Sequence, residues 1–311
     1  MKKKLNVYKH RYVYFGISIA IILTGIIFAL VNGIKLDIQF QGGSILKYTY
    51  TGTIDSEAAG NLVQEALGKQ ASCQLETNMA KDEQTLTINL AGNEAISTQE
   101  QSTVTETLTE AYPDAGLQLS ESLTVEPFIG AQFFKKGLTA IALSFLLIMI
   151  YVGFRFRKIG GLSAGVMGII ALIHDALVVT TVFIVFGIPL NNEFIAAILT
   201  IIGFSINDTI VIYDRVRENK TLMGKRVKPE ELIDTSITES MARSINTTVV
   251  VFIAITIAFI FAQIYDIESI KDFALPMMFG TISGCYSTNC IAGPLWAMWR
   301  NRRIKKGTLT A

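Results

Sequence analysis

Apolar runs of about twenty residues recur along this chain, separated by clusters of lysine and arginine. A run of that length, rising about 1.5 Å per residue as a helix, crosses a hydrocarbon core. Six segments qualify, at 12–31, 134–154, 161–186, 194–213, 244–265 and 273–299. The chain is therefore read as an α-helical polytopic membrane protein with six transmembrane helices. Half of its 311 residues are hydrophobic, enough for such a bundle plus one soluble domain of about 100 residues. The first run is too long for the apolar region of a cleaved signal peptide, and Ala29-Leu30-Val31 is no A-x-A site, so it is read as an anchor.

The charge map orients the bundle. Basic residues cluster at 2–11, 155–158, 215–243 and 300–306, whereas residues 32–131 hold four lysines against fourteen carboxylates, a net charge of −10. The overall charge of +1 conceals this division. Under the positive-inside rule the basic clusters mark cytoplasmic ends, and the acidic block lies outside. An even number of spans puts both termini in the cytoplasm, as both terminal clusters require. The expected division is a basic N-terminus and first helix at 1–33, an external domain at 34–131, a five-helix bundle at 132–300 with a cytoplasmic loop at 214–242, and a basic tail at 301–311. Tyr12, Tyr14, Tyr151, Tyr213, Trp296 and Trp299 stand near the cytoplasmic ends, as an interfacial aromatic belt would. The stretch 214–239 mixes both signs and reads as an amphipathic helix on the cytoplasmic face, with Lys228-Pro229 opening a helix at the proline. Lys225, Arg226 and Lys228 read first as topology signals, with contact to lipid headgroups or a partner as the other reading.

Residues 34–131 alternate strand and helix signals. Residues 44–50 alternate and are rich in β-formers, and 55–67 set Ala58, Leu62 and Ala66 at helical spacing before a Gly68 stop. Short strands at 73–77 and 85–90 are bridged by a polar stretch at 80–84. Ser97 with Glu100 forms a capping box opening a helix to about Tyr112, which Pro113 ends, and 117–125 is a last strand. The order β-α-β-β-α-β matches the α+β ferredoxin-like unit, a fold that hosts many functions. Ahead of it, in Phe40-Gln41-Gly42-Gly43-Ser44, the paired glycines serve either a turn or bulge needing positive φ, or close approach of a partner's backbone.

Ionisable residues inside the spans carry the functional signal. Spans one, two and five have none in their apolar cores, but His174 and Asp175 sit inside the third and Asp208 inside the fourth. A charged Asp at a helix centre costs about 2.5–3.5 kcal/mol on insertion scales, and such residues normally mark ion or proton pathways. Helix rise places Asp175 roughly 22 Å and Asp208 about 9 Å from the cytoplasmic ends of their spans. Asn207, Asp208 and Thr209 put three polar groups in one turn. A protonatable relay is favoured there, because Asn and Thr alone would supply interhelix hydrogen bonds more cheaply. Two readings stand for His174–Asp175, a proton pair or a satisfied pair locking its helix. Two also stand for Arg243, which either reaches Asp208 or snorkels to the interface. Gly161/Gly165 and Gly280/Gly284 have the spacing of close helix packing. No CxxC, HExxH, P-loop or GxSxG occurs, and Cys73, Cys285 and Cys290 form no disulfide framework. No enzyme, cofactor, metal site or nucleic-acid partner is expected.

The motif SINDTIVIYDRVREN at 205–219 closely resembles the fourth-span signature of the bacterial SecF family of the Sec export machinery. LIHDALV at 172–178, SMARSINTT at 240–248 and the glycine motif at 40–44 resemble the family's third-span, fifth-span and post-anchor motifs. The resemblance extends over nearly the whole chain. It implies half of an RND-type transporter in the bacterial cytoplasmic membrane, paired with SecD and assisting SecYEG. The proton-motive force would then help pull or release unfolded polypeptide on the outer side. It further implies a proton path in which a SecD carboxylate faces Asp208 and Arg243, with Asn207, Asp175 and His174 as further relay candidates and Gly42 and Gly43 as the external-domain motif. A half-transporter for lipids or small amphiphiles is the competing reading. Against it stands a single external unit of about 100 residues, which leaves little room for an enclosed substrate route.

Overall fold

The computed structural model describes residues 5–37, 40, 42–69, 71–78, 83–91, 96–125, 127–224, 227–265 and 267–306. Gln41, Lys225, Arg226 and most of the polar bridge expected at 80–84 lie outside them. Helix α1 (Arg11–Asn32) leads to strand β1 (Gly43–Tyr50), helix α2 (Ser56–Leu67), β2 (Ala71–Asn78), β3 (Glu83–Ala91), α3 (Thr98–Ala111) and β4 (Gln118–Val125). Then come α4 (Pro127–Arg155), α5 (Gly161–Val185), α6 (Asn192–Leu222), α7 (Pro229–Ile264), α8 (Glu268–Ser287) and α9 (Gly293–Lys305).

Local signals set the boundaries of the sheet-and-helix elements between α1 and α4. The Asp55 carboxylate caps α2 by accepting from the backbone N–H groups of Glu57 and Ala58, at 2.9 and 3.2 Å. Gly68 ends that helix at φ +64°, a left-handed conformation that a Cβ would strain. Ser97 and Glu100 close the expected capping box reciprocally at the start of α3. The four strands form one antiparallel sheet in the order β2-β3-β1-β4. Strand β1 turns Leu46, Tyr48 and Tyr50 inward against Ala59 and Val63 of α2 and Val104 and Leu108 of α3, all buried. The opposite face carries polar pairs such as Lys47 and Glu121, 3.0 Å apart. Burial of each large side chain stabilises the sheet–helix interface by about 1.5–3 kcal/mol.

Among the described residues, five helices are long and apolar enough to cross a membrane: Arg11–Asn32, Gly130–Arg155 within α4, and the whole of α5, α6 and α7. The last expected span is composite. Helix α8 contains Pro276 and begins with charged residues, and it runs into α9 through a π-helical turn at Thr288–Ala292. In the segment 214–239 a helix opens at Pro229 after Lys228, as expected, but among the described residues there is no separate surface helix, because α6 and α7 simply continue past the apolar runs. Asn219 donates to Ser236 at 3.1 Å and Glu239 at 2.6 Å, and Arg215 pairs with Glu239 at 2.7 Å, zipping the two extensions together. A charged stretch thus reads as surface helix when its rigid continuity with the spans is invisible to hydropathy.

Two further apolar cores hold the bundle. One surrounds Phe156, Tyr213, Ile233 and Trp296 at the end where the termini meet; the other surrounds Leu172, Phe183, Phe194 and Ile201. Tyr213 and Trp296 are fully buried in the first, so they are packing residues and not members of an interfacial belt. The termini meet on α7, where Tyr8 N–H donates to Asp234 at 2.9 Å and Asn301 donates to Glu230 at 2.6 Å.

The connection between α1 and the sheet is fixed to the second core. Leu36 bridges Leu190, Asp37 N–H donates to the Leu190 carbonyl at 3.0 Å, and Phe40 is buried against Phe134. Gly42 and Gly43 follow immediately at φ +84° and +147°. The glycine pair therefore makes a backbone bend between a tethered linker and the first strand.

Candidate functional site

Asp175 is fully buried and lies where three helices converge. Its Oδ2 accepts from Ser205 of α6 at 2.7 Å and Ser287 of α8 at 2.6 Å, and its Oδ1 accepts from Ser283 of α8 at 2.6 Å. His174 Nδ1 lies 3.2 Å from Oδ1. A carboxylate is an acceptor only, so four donors converge on both of its oxygens. Close helix approach makes this possible. A Cβ on Gly280 would stand 2.6 Å from Ile201, and one on Gly284 would stand 3.2 Å from Ser205. The small-xxx-small spacing therefore acts on α6, and it brings Ser283 and Ser287, one turn apart, to the carboxylate. Gly280→Ala is expected to overpack this contact and lower stability by about 1–3 kcal/mol, read from the thermal unfolding midpoint in detergent.

The network continues on both sides. Thr209 and Thr288 hydroxyls meet at 3.0 Å, beside the π turn, and both bond the Ser205 carbonyl. Ser287 ends α8 and Thr288 opens the π turn, so both hydroxyls stand where the helix changes pitch. The His174 ring lies 6.0 Å from that of Tyr286, whose hydroxyl donates to the Tyr14 carbonyl of α1 at 2.6 Å. His174 Nε2 is buried without a partner.

Asp208 has different surroundings. It is half-buried, accepts from Ser244 of α7 at 2.6 Å through Oδ1, and leaves Oδ2 enclosed with no partner. Arg243, the neighbour of Ser244, is exposed, and among the described residues no ion pair joins it to Asp208. Asn207 is also exposed. Structure thus separates the five relay candidates into two groups. His174 and Asp175 share one buried knot, whereas Asn207, Asp208 and Arg243 lie along the outer side of α6 and α7. Ser205, Ser244, Ser283, Ser287 and Tyr286 escaped sequence reasoning, although Ser283 and Ser287 at i and i+4 in an apolar segment carry a legible signal for a shared polar face.

Comparison with known proteins shows the family. A family model described as "Protein export membrane protein SecD/SecF, C-terminal" matches residues 101–302. The chain belongs to the SecD/SecF family. On the SecF side, it is 31% identical to the protein translocase subunit SecF of Alicyclobacillus acidocaldarius, over 99% of this chain and 97% of that one. The SecF of Sebaldella termitidis is 32% identical over 97% of this chain and 93% of its own length. Among solved structures, a SecDF from Thermus, titled a translocon-associated membrane protein, superposes with a TM-score of 0.78 at 25% identity. It covers 97% of this chain. A SecDF crystal structure in a super-membrane-facing form superposes at 0.71, also at 25% identity, over the whole chain. The chain spans only 39% of the Thermus SecDF chain and 41% of the super-membrane-facing one. With its several apolar helices, this SecD/SecF-family chain is a multi-pass membrane protein.

Proposed function

We propose that this chain is the SecF half of a SecD–SecF pair that couples the proton-motive force to movement of its external domain and so assists export of unfolded polypeptide through SecYEG. In this reading it crosses the cytoplasmic membrane six times, through five single helices and the composite 268–305. Both termini and the basic clusters then lie in the cytoplasm, and residues 34–131 form an external ferredoxin-like domain. Gly42 and Gly43 are the bend about which that domain moves relative to the linker anchored by Phe40.

The Asp208 carboxylate carries the reading. One oxygen is held by Ser244 and the other is enclosed without a partner, so it can take up a proton without breaking an existing bond. A second feature supports a SecD half beside it. Thr200, Gly203 and Asn207 on α6, with Arg243 and Asn246 on α7, are exposed in this chain alone. Polar groups facing lipid are costly, whereas small residues let another helical bundle approach closely. SecD on this face would cover Asn207 and Arg243 and enclose Asp208 between the two halves. The donor-saturated Asp175, with His174, we assign to locking α5, α6 and α8 together.

Energy limits the stroke. One charge crossing about 100 mV yields roughly 2.3 kcal/mol. A two-state element needs about 5.5 kcal/mol to go from 1:99 to 99:1. A single proton therefore biases the external domain, and complete switching takes several protons or an added pH gradient. In proteoliposomes holding this chain with SecD and SecYEG, a protonophore is expected to remove its stimulation of export. Stimulation that persists unchanged after the gradient collapses would refute the proposal.

A further inference from the structure

At the end of the bundle where the termini lie, α4, α5, α6 and α9 line a half-open cavity of about 650 Å³. Its charged lining is entirely cationic among the described residues: Arg157 and Lys158 from the turn after α4, Lys220 from α6, and Arg300 and Arg303 from α9. A topology signal needs only to be on the right side of the membrane, and splayed into water it would serve. These side chains instead gather around a concavity. Lys220 Nζ donates to the Lys158 carbonyl at 3.0 Å, and Arg300 donates to the Ile159 carbonyl at 3.1 Å, fixing two cations against its wall. Each has further N–H donors beyond that one bond. Lys220 and Arg300 carry like charges into one cavity wall, and an anion between them would relieve their repulsion.

The remaining wall matches the rest of an amphiphile. Gly161, Leu162 and Ser163 open α5 in the cavity, and the first N–H groups of a helix have no acceptor within it. Leu162 and Val166, one turn apart, and Trp299 line the cavity and are exposed at 72%, 38% and 42%, so an apolar track leads from the cations down the membrane face of α5. A soluble acidic peptide matches the charge but not that track.

We propose that this cavity binds an anionic phospholipid of the adjacent leaflet, with its phosphate among the five cations and an acyl chain along Leu162 and Val166. The site is separate from the Asp175 and Asp208 groups and does not depend on the relay reading. The test uses the chain purified with SecD after equilibration with vesicles of equal phosphatidylglycerol and phosphatidylcholine, with bound lipid read by native mass spectrometry. Wild type is expected to retain phosphatidylglycerol selectively. Neutralising exposed cations, Lys158→Gln with Arg303→Gln, is expected to weaken retention about fivefold for each charge removed. Lys9→Gln with Lys306→Gln, outside the cavity on the same face, is expected to leave retention unchanged. Equal retention of the two lipids, or equal loss in both double variants, overturns the proposal. Displacement of the lipid by glycerol phosphate at matched concentration would also overturn it, since the acyl track would then contribute nothing.

Discussion

Asp208→Asn is expected to abolish the gradient-dependent share of export while leaving the protein folded. The amide is the same size, and Ser244 can still donate to its oxygen. Its NH2 replaces the enclosed, unpartnered Oδ2, which leaves a buried donor unsatisfied at a cost of about 1–3 kcal/mol. Asp208 is only half-buried beside an exposed polar face, so the lower end of that range applies. What disappears completely is titration. Roughly 2.3 kcal/mol per proton at 100 mV biases a two-state equilibrium about fiftyfold, and this bias is what the variant loses. Export of a reporter polypeptide into proteoliposomes, with and without protonophore, measures it as the ratio of the two rates. For the variant that ratio is expected to fall to one. Ser244→Ala, which frees the carboxylate's rotamer but keeps its titration, is expected to retain part of the response. Arg243→Gln is expected to weaken it more than Arg243→Lys does, because the proposed pairing with SecD needs a cation at that position. A wild-type ratio for Asp208→Asn would leave Asp208 a packing residue and remove the relay from this chain.

Local chemistry made the sheet-and-helix domain readable. The helical spacing at 55–67 with its Gly68 stop and the Ser97–Glu100 box fixed its helices to within a residue or two, and the alternation read at 44–50 is the one that buries Leu46 and Tyr48. In the membrane bundle the hydropathy of each run was enough for its existence but not for its neighbours. Tyr213 and Trp296 sit where an interfacial belt would, and only the packing of α4, α5, α7 and α9 around them turns them inward. The π turn at Thr288–Ala292 was not read from the sequence either. At the site, the unusual carboxylates were visible individually, but their partners were not. Serines are common and uninformative alone. Ser205, Ser283 and Ser287 become a site only because Gly280 and Gly284 let α8 close on α6.

Asp175→Ala is expected to lower stability by about 2–4 kcal/mol, and the loss should be recoverable without restoring a carboxylate. The substitution deprives Ser205, Ser283, Ser287 and His174 of their shared acceptor. A buried donor left unmade costs about 1–3 kcal/mol, but interhelix bonds in membranes average nearer 0.6 kcal/mol, and serine can turn back to a carbonyl of its own helix. Ser287 already has the Gly284 carbonyl at 3.3 Å, which places the total well below four full penalties. Replacing both sides of a polar contact by apolar groups is close to neutral. Asp175→Leu combined with Ser205→Ala, Ser283→Ala and Ser287→Ala is therefore expected to return the unfolding midpoint in detergent close to that of wild type. The same quadruple variant separates the two readings of the His174–Asp175 pair. If the pair only locks α5 against α6 and α8, recovered stability brings back the protonophore-sensitive share of export. If stability returns and that share does not, Asp175 passes protons, and the path through this chain runs deeper into the bundle than Asp208.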